Sequence, residues 1–158
     1  MKNPPKHSIL VAVITALILA GCTDNIVYHS YRYIPGKRWN RKDTLTFDVP
    51  ITDSFPTYYY LYVHVRNLPH YPYQNLLLLV SHNLQDSSVM VTDTVRGILA
   101  SETGRWAGKG LGTLFQITLP VNEYTVDYPA GVRTVRVTHG MEDETLIGIN
   151  DVGIRIEK

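Results

Sequence analysis

The stretch YYYLYVHVR, residues 58–66, decides how the rest of this chain is read. Tyr59, Leu61, Val63 and Val65 alternate with Tyr58, Tyr60, Tyr62, His64 and Arg66. Successive side chains of a strand point to opposite faces, so a strict period of two marks a strand with one buried face; a helix would repeat its apolar residues every three or four. The same punctuation recurs outward in both directions. Leu45 to Val49 alternates and stops at Pro50, and Leu76 to Val80 is a continuous apolar run, as in a strand covered on both faces. Val89, Val91 and Val95 alternate with Met90, Thr92 and Thr94. Leu114 to Leu119 is closed by Pro120, while Tyr124–Val126 and Val132–His139 flank the turn signal Pro129-Ala130-Gly131. At the C-terminal end Val152, Ile154 and Ile156 oppose Gly153, Arg155 and Glu157. No ten-residue amphipathic helical pattern occurs, and only Val95 to Ser101 has room for a turn or two of helix. About eight short strands predict an all-β, two-sheet antiparallel sandwich, with a jelly roll among the topologies it allows.

The N-terminal segment follows a different logic. Lys2 and Lys6 precede an apolar run from Ile9 to Ala20, broken only by Thr15. As a helix that run would span roughly 18 Å, short of the roughly 30 Å hydrocarbon core, which predicts a secretory leader rather than a membrane span. It ends in Leu19-Ala20-Gly21-Cys22, and Cys22 is the only cysteine of the chain. The four residues resemble the bacterial lipobox. That resemblance implies cleavage before Cys22 by the lipoprotein signal peptidase, a thioether-linked diacylglycerol on the thiol, and an amide-linked acyl chain such as palmitate. Two or three chains give a stable anchoring that one chain does not. The expected organisation is a leader at 1–21, a lipidated tether at 22–27 and one domain at 28–158.

Charge and cysteine content narrow the function. Losing Lys2 and Lys6 from 15 basic residues leaves 13 against 14 acidic ones, so the mature chain is slightly acidic and nucleic-acid binding by phosphate neutralisation is disfavoured. With Cys22 acylated no thiol remains for a disulfide, a thiolate metal site or a nucleophile. Of the six histidines none lies in H-E-x-x-H or another recognisable ligand spacing, so solvent-facing positions are expected for them, with no metal and no cofactor. No G-x-S-x-G is present. Glu142-Asp143-Glu144 lacks the alternating ligands of a calcium loop and reads as a solvated acidic turn. Gly104 to Gly112, with Arg105 and Lys109, has the glycines of an anion cradle, but a strand follows where a P-loop needs a helix. It is read as an irregular connection plugged by Trp106. No catalytic residue emerges, and the chain is expected not to be an enzyme.

A longer set of residues is similar to one family. Cys22, Val27-Tyr28, Tyr31, Ile34-Pro35, Trp39-Asn40 and Phe47-Asp48-Val49-Pro50 come first. His64-Val65-Arg66-Asn67, Tyr71-Pro72-Tyr73-Gln74-Asn75-Leu76, Val91-Thr92-Asp93-Thr94, Gly104-Arg105-Trp106 and Gly108-Lys109-Gly110 follow in order. The run from Gly148 to Lys158 is the most specific part, after His139 and Met141, whereas Gln116 to Asp127 matches poorly. Together they resemble the gliding-motility lipoprotein GldH family of the Bacteroidetes. The resemblance implies a membrane-anchored envelope lipoprotein, an accessory of gliding and of the type IX secretion system linked to it, with no catalytic residues to carry over. The absence of an acidic run after Cys22 favours a domain facing the periplasm, with the outer membrane's inner leaflet as the expected anchor. Asp43-Thr44-Leu45 and Asp93-Thr94-Val95 also resemble the short O-glycosylation motif of that phylum, which makes Thr44 and Thr94 candidates.

Two roles compete on the residues themselves. In the first, aromatic surface docks other gliding or secretion proteins of the envelope, with Tyr60, Tyr62, Tyr71, Tyr73, Arg105 and Trp106 as candidate contacts, since tyrosine offers large area and a polar tip. The rings of residues 58, 60 and 62 serve that role only if no second sheet covers them. In the second, a periplasmic glycan-binding sandwich stacks sugars on Trp106, Tyr71 and Tyr73.

Overall fold

The computed structural model describes residues 25–53, 55–126 and 130–158. The leader, the lipobox residues Leu19, Ala20 and Gly21, and Cys22 lie outside the described residues. Eleven β segments follow one another: β1 (Ile26–Tyr33), β2 (Arg38–Asn40), β3 (Leu45–Ile51), β4 (Thr57–Asn67), β5 (Asn75–His82), β6 (Val91–Ile98), β7 (Lys109–Leu111), β8 (Leu114–Val126), β9 (Gly131–His139), β10 (Thr145–Ile147) and β11 (Ile149–Glu157). One 3-10 turn, Pro35–Lys37, separates β1 from β2. No helix among the described residues is long and apolar enough to cross a membrane.

The strands form a five-stranded sheet, β1-β11-β4-β8-β7, and a four-stranded sheet, β3-β9-β5-β6, with a β10-β2 ribbon beside them. Every recorded pairing is antiparallel. This is the all-β sandwich that the alternation at 58–66 predicts. The core between the sheets takes Tyr59, Leu61, Val63 and Val65 from β4 and Val152, Ile154 and Ile156 from β11. Facing them are Phe47 and Val49 of β3, Leu76, Leu78 and Val80 of β5, and Val135 and Val137 of β9. Each fully buried aliphatic side chain here contributes about 1.5–3 kcal/mol of transfer free energy. The ribbon closes one end by burying Trp39 and Leu146, and the Trp39 indole N–H donates to the Asp43 carbonyl at 2.9 Å. Sealing that nitrogen inside an apolar plug requires such a partner.

Several local expectations change. Both prolines read as strand ends lie inside strands. Pro50 sits in β3, an edge strand that needs no second ladder. Pro120 lies in β8 beyond the short stretch that pairs with β7, where the ladder to β4 also slips register. The stretch at 95–101 forms no helix; it continues β6 as far as Ile98. Ordered pairing starts at Ile26, opposite Glu157, so residues 26 and 27 belong to the domain rather than to the tether. Leu77 and Leu79 are only half-buried: the chain at Gly140 covers them partly, in place of the full second layer expected of an unbroken apolar run.

Candidate functional site

Facing away from the core, the five-stranded sheet carries aromatic and charged side chains in register. One cross-strand row is Tyr31–Gly153–His64–Thr118; the next is His29–Arg155–Tyr62–Pro120. Gly153 makes the first row possible. A Cβ at that position would lie 2.6 Å from the Tyr31 ring and 2.9 Å from the Ser30 carbonyl oxygen, so only glycine lets Tyr31 fold down over the sheet. The Tyr31 and His29 rings then close over His64, with centroids 6.0 and 5.2 Å away, and leave it 3% exposed on what is nominally the outer face.

The arginines are held by the same rings. The Arg66 guanidinium lies 4.1 Å from the Tyr31 centroid and its Nε is 2.5 Å from the nearly buried Asp151 carboxylate. Arg155 lies 5.0 Å from the Tyr62 centroid and forms a 3.1 Å ion pair with Glu157. These contacts fix long side chains over aromatic planes, an arrangement that reduces the entropy lost when a ligand binds. The setting keeps His64 neutral. Burial is the main cause, with Arg155, the His29 ring and Arg66 adding to it, and the pKa falls to about 4. Its Nδ1 is 2.9 Å from the Thr118 hydroxyl, while Nε2 has no hydrogen-bond partner. His29 is lowered as well, by burial and then by the two arginines.

Toward the β7–β8 end this face runs into an open groove of about 530 Å³, lined among others by Arg66, Lys109, Gln116 and Thr118. The groove's wall explains two glycines of the 104–112 segment. A Cβ at Gly108 would lie 2.4 Å from the Gln116 carbonyl oxygen, and one at Gly110 would lie 3.0 Å from that of Leu114. Close backbone approach therefore requires these glycines.

The predicted contact residues do not form one surface. Tyr60 and Tyr62 share the outer face just described, with Tyr58 beyond them; Tyr58 and Tyr60 are exposed and no second sheet covers them. Tyr71 is a core residue, 3% exposed, whose hydroxyl donates to the Asn75 carbonyl. It is therefore withdrawn from the candidate surface. Gly148, at φ +85° between β10 and β11, makes room for the Tyr71-Pro72-Tyr73 segment: a Cβ there would lie 2.8 Å from the Tyr71 backbone. Tyr73 lies in a different groove and donates to Asp143. Trp106 stacks on Phe115 at 5.7 Å and is partly buried against the core, while Arg105 beside it is exposed. Thr44 and Thr94 are both exposed, but the Asp93 carboxylate preceding Thr94 is engaged by His82 Nε2 at 2.9 Å and by the Tyr124 hydroxyl at 2.6 Å.

Histidine is where sequence reasoning misplaces most. His64, His82 and His139 are buried, not solvent-facing. His82 packs against the Tyr124 ring at 4.3 Å, and His139 Nε2 lies 3.2 Å from the Trp39 carbonyl. The alternation in β5 and β9 does carry a signal, because residues 82 and 139 fall in phase with the buried positions of their strands. Among the described residues no group of three or more His, Cys, Asp or Glu side chains is placed to hold a metal ion.

Fold and face together define an all-β sandwich that presents a broad aromatic and charged sheet surface. The family model described as GldH lipoprotein matches residues 26–156, and the chain belongs to that family. The gliding motility lipoprotein GldH of Flavobacterium johnsoniae is 30% identical over 155 residues, covering 94% of each chain. A gliding motility lipoprotein GldH homolog of Christiangramia forsetii is 27% identical over 96% of this chain and 95% of its own. Membership in a lipoprotein family implies a membrane-anchored place in the cell envelope. A solved β-fructofuranosidase from Schwanniomyces occidentalis is similar over 87% of this chain but only 35% of its own, at 10% identity and a TM-score of 0.37, which carries no argument.

Proposed function

We propose that this protein is a non-catalytic docking component of the gliding machinery and of the type IX secretion apparatus linked to it. In this reading acylated Cys22 holds it to the inner leaflet of the outer membrane, with the sandwich in the periplasm. One observation carries the docking role: the outer face of the five-stranded sheet leaves Tyr58 and Tyr60 exposed and Tyr62 half-covered, beside arginines already held over rings. Tyrosine and arginine are enriched among residues that dominate interface energies. The glycan reading loses its platform, because Tyr71 is buried and Trp106 is stacked on Phe115.

The test is crosslinking in native cells with an affinity-tagged full chain, beside a Tyr60→Ala, Tyr62→Ala double variant and a Cys22→Ala control. Gliding or secretion components should co-purify with the parent protein, drop at least about tenfold with the double variant, and be lost with the control; about 1.4 kcal/mol at one hot-spot tyrosine suffices for that drop. An unchanged partner list from the double variant removes the sheet face from the account. Enrichment of glycan fragments alone replaces the protein partner with a sugar.

A further inference from the structure

The chain enters the sandwich at one pole. Ile26 pairs with Glu157, Glu157 with Tyr60, and Thr57 with Val126, so the start of β1, the end of β11 and the start of β4 lie together. In the four-stranded sheet Ile51 pairs with Gly131 and His82 with Val91. The short connection from Ile51 to Thr57 and the contact of Tyr124 with His82 and Asp93 put these ends at the same pole. Lys158 completes it by donating from its backbone N–H to the Asn25 carbonyl and pairing its ammonium with Asp53 at 2.6 Å.

Exposed apolar side chains concentrate there. Phe55 and Tyr58 are each 66% exposed, Val132 62% and Val89 51%, with Met90 and Val91 beside them. They come from three separate connections or strand starts, so the clustering is a property of the fold rather than of one greasy loop. The opposite pole exposes Tyr33, Ile98 and Ile147, singly and on different elements. Scattered apolar residues are ordinary on a soluble domain; a set gathered at one end points to a contact surface.

What covers this pole follows from the length of chain between it and the anchor. Three peptide steps separate Asn25 from Cys22, and at full extension they reach about 10 Å. An acylated Cys22 sits in the headgroup layer, so this end of the sandwich cannot stand clear of the lipid. We infer that the anchor pole is a membrane-docking surface, with Phe55, Val89, Met90 and Val132 entering the lipid interface and Tyr58 at headgroup level. The inference rests on acylation of Cys22. Aromatic and aliphatic side chains gain free energy in the outer 5–10 Å or so of a bilayer, and tyrosine suits its polar boundary. The strands then stand on end. The eleven residues of β4 rise roughly 35 Å, which holds the groove at Arg66 and Lys109 well away from the bilayer and the outer sheet face along its normal.

The full-length acylated protein, reconstituted in phosphatidylethanolamine–phosphatidylglycerol vesicles, provides the test. Phe55→Cys and Val132→Cys at the anchor pole, and Tyr33→Cys and Ile98→Cys at the far pole, are each labelled with an environment-sensitive fluorophore; all four sites are exposed, so the fold is preserved. The inference requires blue-shifted emission at 55 and 132 that is lost on adding lipids bearing a quencher, with water-like emission at 33 and 98. Water-like emission at all four sites overturns it. So does a blue shift at 55 and 132 that lipid-borne quencher leaves intact, which would assign the pole to contact between copies of this chain. Intact-mass measurement of the same samples separates the two premises: unmodified Cys22 sinks the anchor, whereas acylated Cys22 with solvated probes sinks only the docking.

Discussion

The two faces of strand β4 are built from neighbouring residues and obey different rules. On the inner face Tyr59, Leu61, Val63 and Val65 are sealed by the opposite sheet. On the outer face Tyr58 and Tyr60 are in water, Tyr62 is half-covered by Arg155, and His64 is buried although no second layer lies over it. The inner face is covered by a sheet of the fold, the outer one by its own side chains folding over each other. Coverage of the first kind makes a core. Coverage of the second kind is local, depends on Tyr31, His29 and Gly153, and leaves the surface open to a partner.

The sharpest way to break this comparison is to cut into the inner face. Leu61→Ala should cost about 3 kcal/mol or more, read as a fall in the urea midpoint with unchanged slope, because a sandwich core relaxes little around a cavity. Acid probes the outer face next. His64 is neutral in the folded protein down to about pH 4, whereas in the unfolded chain it takes a proton below about 6.5. Stability should therefore fall as pH drops from 6.5 towards 4, by at most roughly 3 kcal/mol, and change no further from this group below that. Burial lowers His139 as well and acts in the same direction. His64→Gln should flatten the part of the slope that belongs to this ring; an equally steep slope in that variant would assign the acid effect to His139 and to His29, which burial also lowers.

Smaller still is Gly153→Ala, expected to cost about 1–3 kcal/mol as overpacking, because the new methyl meets both a ring and a backbone carbonyl. It should also raise the pKa of His64, measurable by NMR, as Tyr31 lifts away. At the bottom of the scale, Tyr60→Ala should change stability by less than about 0.5 kcal/mol while lowering partner capture. If it destabilises as much as Leu61→Ala does, the two faces are not different in kind.

Much of this was legible in the sequence, for one reason: period-two alternation reports which residues share a face. It located β4, β5, β9 and β11 and assigned Gly153, Arg155 and Glu157 to the side away from Val152, Ile154 and Ile156. β1 escaped because its inward positions, Tyr28, Ser30 and Arg32, carry no apolar alternation; its partner β11 makes it a strand, over a hundred residues later. The β2–β10 ribbon is three residues long on each side and has no periodicity to read. For the candidate site, alternation put Tyr60, Tyr62, His64 and Arg66 together. It had no means of showing that Tyr31 and His29 fold down onto that face, since a cross-strand neighbour at an unknown register leaves no local mark.

Proline within β3 and β8 has a consequence for a population of molecules anchored to one membrane. Molecules tethered to one leaflet share a plane, diffuse in two dimensions and meet side by side in nearly fixed orientation. Such confinement favours strand-to-strand pairing between copies wherever a sheet has an open margin. Pro50 lies on a marginal strand and Pro120 on a length of β8 that β7 does not reach, and neither has an N–H to offer a neighbour. Both residues thus help a crowded population of identical sandwiches to stay separate.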